Sequence, residues 1–406
     1  MTSSATFEPA PTVAGDAVFM DRALALAACG VALASPNPLV GALLVSEGKI
    51  VGEGFHTYDG VRHAEVIALA AAREAARGAT LYINLEPCCR TGRTGPCTQA
   101  LIAAGVARVV AAMPDPNPAV AGRGFKKLRA AGIEVSTGLR EAEARRLNEE
   151  FARWIVSRRP LVTLKSALTL DGQLVLPHAK GSTRKGTRAS QRERWISSPE
   201  SRAEVQRMRH ASDALLTGIG TVLIDDPLLT DRTGLTRRRK LLRVVLDSQL
   251  RLPMRSKLVR SADEDVLVFT RAKENSPKAR SLRRVGVEVV RLAGRGAKLD
   301  LVEAVAELGR REILSVLLEA GTILNSAALA AGIVDKIRVF FAPKLAGPAG
   351  GPSSAPLEMA AKIDESQSGM QSFRIELPRT LKNVTTAQCG PDFSVEGYLR
   401  NVYRTR

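Results

Sequence analysis

The chain has 406 residues, 59 of them Lys or Arg against 41 Asp or Glu, for a net charge of +18. That length suggests two or three domains, each able to bury a core, and 45% hydrophobic with 25% charged residues excludes wholesale disorder. Aromatics at 4% argue against a binder that stacks nucleic-acid bases on rings, and five cysteines, three of them at 88, 89 and 97, suit a reducing compartment with a metal or catalytic use.

Residues 1–16 contain no basic residue and no apolar core of a signal or transit peptide, and read as a flexible N-terminus. A helix is predicted over 18–34, stopped by Ser35-Pro36-Asn37-Pro38. Strands at 39–45 and 50–55 form a hairpin around Glu47-Gly48-Lys49, and an Ala/Leu/Glu-rich helix spans 63–77 up to Gly78. A strand at 80–86 delivers Pro87-Cys88, followed by a helix (95–105), a strand (107–113) and a helix (125–132). This alternation predicts a three-layer α/β sandwich whose later strands are parallel.

A helix over 141–156 carries the chain out of this first domain, with the boundary near Arg158-Arg159-Pro160. Strands are then expected at 161–170, 241–247, 265–270, 287–292, 313–321 and 336–345, with a Gly- and Pro-rich loop at 346–356. No apolar run approaches the ~20 residues of a membrane-spanning helix. The expectation is a cytoplasmic chain that engages no membrane.

The charge is uneven. Residues 1–157 hold 16 basic and 15 acidic residues, so +17 of the excess belongs to the rest. A basic half fits a solvated surface, nucleic acid or phosphorylated small molecules. No zinc-finger or RNP pattern accompanies it.

His63-Ala64-Glu65 opens a helix, and Pro87-Cys88 ends a strand before the helix containing Cys97. One imidazole and two thiolates give a tetrahedral zinc three ligands and leave its fourth position for water, which zinc acidifies toward a pKa of ~7. Glu65, two residues after His63, is placed to shuttle the proton from this water to a leaving amine. Alone, a His at a helix start is usually a cap and a free Cys is usually packing. Together they match the signature of zinc nucleobase deaminases. Cys29, Cys89 and Cys389 read as packing residues.

The nine-residue step from Cys88 to Cys97 is longer than the three of cytidine and tRNA adenosine deaminases. With SPNPLVG (35–41), IVGEGFH (50–56), HAEVIAL (63–69) and DPNPAVAGRGFKKLRAAGIEV (115–135), it resembles the pyrimidine deaminase of riboflavin biosynthesis. LKSALTLDG (164–172), WISSPESR (195–202), LLTGIGTVLIDDPLLTDR (215–232), VLDSQLRLP (245–253) and LLEAGTILN (317–325) resemble the reductase of the same pathway. Nearly the whole chain is similar to the family of bifunctional diaminohydroxyphosphoribosylaminopyrimidine deaminases/5-amino-6-(5-phosphoribosylamino)uracil reductases.

The resemblance implies a cytidine-deaminase-like three-layer α/β/α sandwich over 17–157, followed by a dihydrofolate-reductase-like α/β reductase domain over 158–406. In the first it implies one zinc ion on His63, Cys88 and Cys97, Glu65 as proton shuttle, and substrate contacts from Asn37, Arg90 and Arg93. Arg90 stands where relatives often have His, and Gly95 where Pro is common. In the second it implies NADPH held by Ala167, Trp195, Thr221, Asp225, Ser248, Gly321 and Thr322. Lys165, Glu193, Arg209, Leu229, Arg232 and Glu319 then line the substrate pocket, Glu193 occupying the usual serine position. Thr217–Thr221 lacks the third glycine of a G-x-G-x-x-G motif, and reads as a strand-to-helix phosphate cradle of another kind.

The segment 176–194 is longer than in relatives and basic. It reads as a surface loop or as a lid attracting the phosphates of cofactor and substrate. Phosphorylated pyrimidines are the implied partners, with no nucleic acid, in a homo-oligomer (dimer or tetramer). Two other readings stay open from the residues alone: a deaminase with an inactive reductase-like domain, and a nucleic-acid-directed zinc deaminase with a basic RNA-binding half.

Overall fold

A computed structural model describes residues 13–174, 195–292, 298–346 and 380–404. The chain divides into two compact units, one running to Ser157 and including Thr236–Arg238, the other comprising Arg158–Leu235 and Arg239–Arg404.

The first unit contains α1 (Val13–Ala28), β1 (Gly41–Ser46), β2 (Lys49–Phe55), α2 (Ala64–Ala72), β3 (Thr80–Ile83), α3 (Cys97–Ala103), β4 (Arg108–Ala111), α4 (Arg123–Ala130), β5 (Glu134–Thr137), α5 (Glu141–Leu147) and α6 (Glu149–Ser157). Its sheet has the order β2-β1-β3-β4-β5, antiparallel at β2/β1 and β1/β3 and parallel beyond. Strand residues alternate between faces. Ala42, Leu44, Leu81, Ile83, Val109 and Ala111 pack with Ala68, Leu101 and Leu128 of α2–α4. Helix α1 lies so close to β1 that a Cβ on Gly41 would sit 2.3 Å from the Ala23 carbonyl oxygen, which requires glycine there.

Helix α1 begins earlier than the sequence reading expects and takes in Asp16, placed there in a flexible N-terminus. Asp16 is instead buried, accepting hydrogen bonds from the Tyr82 hydroxyl at 2.5 Å and Arg108 Nη2 at 2.8 Å. The helix ends at Ala28, and the apolar run 29–34 forms turns in which Ala32 has φ +60°. The single helix expected over 141–156 is two helices broken at Asn148, whose side chain bonds to another part of the chain.

The second unit contains β6 (Leu161–Thr169), α7 (Pro199–Ala211), β7 (Ala214–Gly218), α8 (Ile219–Asp225), β8 (Leu242–Leu246), α9 (Lys257–Arg260), β9 (Val266–Thr270), α10 (Pro277–Arg284), β10 (Val287–Arg291), α11 (Leu301–Arg310), β11 (Ser315–Glu319), α12 (Thr322–Ala330), β12 (Lys336–Ala342), β13 (Lys382–Cys389) and β14 (Asp392–Tyr398). Ser198, Ser256, Ser276 and Asp300 cap α7, α9, α10 and α11 by accepting first-turn backbone N–H bonds. The nine-stranded sheet runs β10-β9-β8-β7-β11-β6-β12-β14-β13, parallel from β10 to β12 and antiparallel thereafter. The carboxyl ends of β6, β7, β8, β9 and β11 therefore share one edge, where open α/β sheets bind ligands.

Strands β5, β13 and β14 are absent from the sequence reading. β13 is exposed along nearly its whole length, so it has no apolar alternation to detect. Strand β12 stops at Ala342, short of the expected 345. The basic segment 176–194 and all but Ala346 of the loop 346–356 lie outside the described residues. Among the described residues no helix is long and apolar enough to cross a membrane.

Candidate active sites

His63 is the N-cap of α2, Cys97 the first residue of α3, and Cys88 lies in the loop after β3. The His63 Nδ1 is 3.1 Å from Cys97 Sγ and 3.5 Å from Cys88 Sγ, and the Cys97 N–H donates to Cys88 Sγ at 3.3 Å. All three donor atoms fall within 4.8 Å of one another. One nitrogen and two sulfurs at this spacing fit a tetrahedral zinc with one position left.

Glu65, only 3% exposed, lies in the first turn of α2, and burial raises the pKa of its carboxyl, with the His63 charge opposing. A hydrogen bond from Cys97, together with His63, favours the Cys88 thiolate, while the same contact and burial keep the proton on Cys97. This cluster can bind a thiophilic cation and hold a proton beside it.

Three buried side chains absent from the sequence reading hold this site together. Glu86 accepts four backbone N–H bonds across the α4 entry: Oε2 from Asp115 (3.1 Å) and Gly122 (2.8 Å), Oε1 from Gly124 (2.8 Å) and Phe125 (3.3 Å). A Cβ on Gly124 would sit 2.2 Å from the Pro87 carbonyl oxygen, so α4 abuts the Cys88 loop. Asn84 and Asn148 clamp Leu39 from two sides, each donating to its carbonyl oxygen, and Asn148 Oδ1 accepts the Leu39 N–H at 2.8 Å.

Asn37, two residues earlier, bonds through Nδ2 to Nε2 of the buried His56 at 2.9 Å. His56 Nδ1 faces the Arg62 carbonyl oxygen at 2.9 Å and so must donate, which makes Nε2 the acceptor in the neutral ring. Burial lowers the His56 pKa and favours that neutral form. The Asn37 amide is thereby oriented with Oδ1 left for a ligand. Arg93 is exposed, its Nη1 donating to the Tyr58 carbonyl at 3.2 Å and its guanidinium 4.4 Å from the Tyr58 ring centroid. Arg90 is exposed on the same loop.

In the second unit Lys165 and Glu319 are register partners on β6 and β11. Arg209 of α7 grips Glu319 with both fork nitrogens, Nε to Oε1 at 2.7 Å and Nη2 to Oε2 at 3.0 Å, and Lys165 Nζ stands 3.9 Å from Oε2. Burial lowers the Lys165 pKa. For Glu319 burial would raise it, but Lys165 and Arg209 outweigh burial and hold it below its ordinary value. The loop after α8 is tied to α7 three times: Arg209 Nη1 to the Thr230 carbonyl (3.0 Å), His210 Nδ1 with Asp231 Oδ2 (2.9 Å), and the Arg232 N–H to Gln206 Oε1 (2.9 Å). That loop carries Leu229, buried at φ +57°, and Arg232, exposed.

Five of the remaining expected residues lie at the carboxyl edge of the sheet. Ala167 is on β6, Thr221 in α8, Ser248 just past β8, and Gly321 and Thr322 open α12. Asp225 is exposed at the far end of α8, and Trp195 is 55% exposed with Arg202 5.3 Å from its ring centroid. Glu193 lies outside the described residues. For a dinucleotide the edge offers room: a Cβ on Gly220 or Gly321 meets nothing within 4 Å, and the buried Thr217 hydroxyl at the end of β7 has no partner. The edge therefore leaves its strand-to-helix turns open to a bound cofactor.

Two family profiles match the chain: the RibD C-terminal domain over residues 160–392, and the cytidine and deoxycytidylate deaminase zinc-binding region over residues 14–113. The riboflavin biosynthesis protein RibD of Aquifex aeolicus is 44% identical over 332 residues, 82% of this chain and 88% of that protein. The form 1 structure of Acinetobacter baumannii RibD superposes with a TM-score of 0.75 at 34% identity, covering 95% of this chain and 99% of that one. The diaminohydroxyphosphoribosylaminopyrimidine deaminase/5-amino-6-(5-phosphoribosylamino)uracil reductase of Thermotoga maritima superposes equally well, with a TM-score of 0.75 at 33% identity over 95% of this chain and 99% of that one.

Proposed function

The chain belongs to the RibD family of riboflavin-biosynthesis proteins, and on that premise we propose how its residues divide two consecutive reactions. The family's enzymes deaminate 2,5-diamino-6-(5-phosphoribosylamino)pyrimidin-4-one and then reduce the ribosyl C1′ to give 5-amino-6-(5-phosphoribitylamino)uracil. The observation that carries the assignment is the convergence of His63, Cys88 and Cys97 beside the buried Glu65.

His63, Cys88 and Cys97 would hold zinc, which when bound would supply Lewis-acid activation of the attacking water. Glu65 accepts the proton from that water and passes it to the leaving amine nitrogen; burial raises its affinity for a proton, which favours the uptake step. Asn37, locked by His56, presents Oδ1 to a donor on the pyrimidine ring. Arg93, with Arg90 beside it, offers a guanidinium fork to the ribose phosphate.

In the second unit NADPH, when bound, would supply the hydride. Ala167, Thr221, Ser248, Gly321 and Thr322 would orient it along the carboxyl edge of the sheet, with Trp195 and Asp225 joining them by resemblance. Lys165, Arg209, Leu229, Arg232 and Glu319 position the phosphoribosyl substrate at the β6/β11 end, Glu319 fixing Arg209 and Lys165 in place. Glu193 completes this set by resemblance. The domain limits (17–157 and 158–406), a homo-oligomeric state, a cytoplasmic location and the absence of a nucleic-acid partner belong to the same proposal, supported by substrates that are small phosphorylated molecules. Metal analysis with separate assays of ammonia release and NADPH oxidation tests it: zinc and ammonia without NADPH consumption would leave a deaminase with an inactive second unit.

A further inference from the structure

The cofactor residues proposed above lie in one line. Across the sheet, from β6 outward, come Ala167 on β6, Gly321 after β11, Thr221 after β7 and Ser248 after β8. The substrate group of Lys165, Arg209 and Glu319 sits at the β6/β11 end, and hydride transfer requires the nicotinamide beside it. Ser248 therefore marks the adenosine end. One strand further out is β9, about 10 Å from β7 at the usual strand spacing.

The residue at the end of β9 is Arg271. Its N–H donates to the Ser248 carbonyl oxygen at 3.1 Å, and the Thr270 hydroxyl reaches the same oxygen at 3.3 Å, so Arg271 is fixed to the cofactor-side turn. Among the described residues no carboxylate pairs with its guanidinium, and the sealed Nη1 has no acceptor although the residue as a whole is part-exposed. A partly buried charge without a counter-ion is unfavourable unless a ligand supplies one. The neighbouring acid, Asp247, is completely buried; its Oδ2 accepts the Leu252 N–H at 2.7 Å, and its Oδ1 is sealed without a hydrogen-bond partner. In Rossmann-type sheets, a different fold, a carboxylate takes a free ribose 2′-hydroxyl and an arginine accommodates a 2′-phosphate, and the same pairing chemistry holds at any adenosine end. This edge withdraws the acid and offers the guanidinium.

We propose that Arg271 sets the preference of the second unit for a nicotinamide cofactor carrying a 2′-phosphate, by pairing its guanidinium with that phosphate. The proposal rests on the cofactor reading given above and adds a residue to it. The test is equilibrium titration of the full-length protein with 2′,5′-ADP and with 5′-AMP, followed calorimetrically. Wild-type protein binds 2′,5′-ADP the tighter. Arg271→Ala weakens 2′,5′-ADP about 10- to 100-fold, as expected for loss of a charge-assisted pair. It leaves 5′-AMP within twofold, and Arg271→Lys falls between. An equal loss for both nucleotides, or an unchanged 2′,5′-ADP affinity, overturns the assignment to Arg271 while leaving the cofactor reading in place. Wild-type protein that binds neither NADPH nor 2′,5′-ADP overturns both.

Discussion

Replacing Glu86 with glutamine removes the charge that four backbone N–H groups converge on, two at each carboxylate oxygen. Glutamine keeps one oxygen as acceptor and turns an NH2 group toward two of those donors. With Glu86 only 3% exposed, water cannot take the vacated place. Two lost charge-assisted bonds at about 1.5–3 kcal/mol each give an expected cost of about 3–6 kcal/mol, a large share of the 5–15 kcal/mol that holds a typical domain. Burial, with the Glu86 charge contributing, pushes the Asp115 carboxyl up to about 7, and relief of that repulsion offsets a small part of the cost.

Because the two units need not unfold together, the loss is best read locally. Amide hydrogen exchange at Gly122, Gly124 and Phe125 is expected to accelerate by about 100-fold or more. Zinc transfer to a chromogenic chelator should quicken with it, since α4 abuts the Cys88 loop. Exchange at these amides within a few-fold of wild type, with unchanged zinc transfer, would refute the reasoning that this carboxylate holds the α4 entry against the metal site.

Glu65→Gln should lower ammonia release by about 10²–10⁴-fold while leaving zinc content unchanged, since it removes a proton shuttle and no ligand; loss of zinc would assign Glu65 to the metal shell instead. His56→Phe frees the Asn37 amide and is expected to raise the deaminase KM with zinc content intact, whereas an unaltered KM would show that Asn37 is not positioned by His56. Arg209→Lys breaks the two-nitrogen grip on Glu319, so NADPH oxidation should fall at least tenfold with deamination untouched. Glu319 is held below its ordinary 4.5 by Lys165 and Arg209, so the stability it contributes is present above that pH and is lost as the pH falls through the folded value. The denaturant midpoint of the second unit should therefore fall less steeply between pH 5 and 3 in Glu319→Gln than in wild type, and identical slopes would count against the coupling.

The zinc cluster is legible in the sequence because its residue types and spacings are themselves the chemistry: His63, Glu65, Cys88 and Cys97 fall within 35 positions, three at helix starts and Cys88 in the loop between β3 and α3. Lys165, Arg209 and Glu319 come from three elements up to 154 positions apart, and no local pattern connects them; they enter only through resemblance. Glu86, Asn84 and Asn148 escape for a related reason, since their partners are backbone groups, which every residue has. Asn148 also explains the broken helix, an effect of long-range bonding that helical periodicity does not register. Strand β13 fails the opposite way, being too exposed to carry a period. Core strands such as β9, buried at all five positions, are read almost to the residue.

The central claim is that one chain carries two separable sites, the first dependent on His63, Cys88 and Cys97. Purified protein with one zinc per chain, given the diaminopyrimidine substrate and NADPH, should release ammonia and oxidise NADPH in equal amounts. After zinc removal it should release none, yet still oxidise NADPH when given the deaminated substrate. Ammonia release that survives zinc removal, or NADPH oxidation that is lost with the metal, would contradict the account.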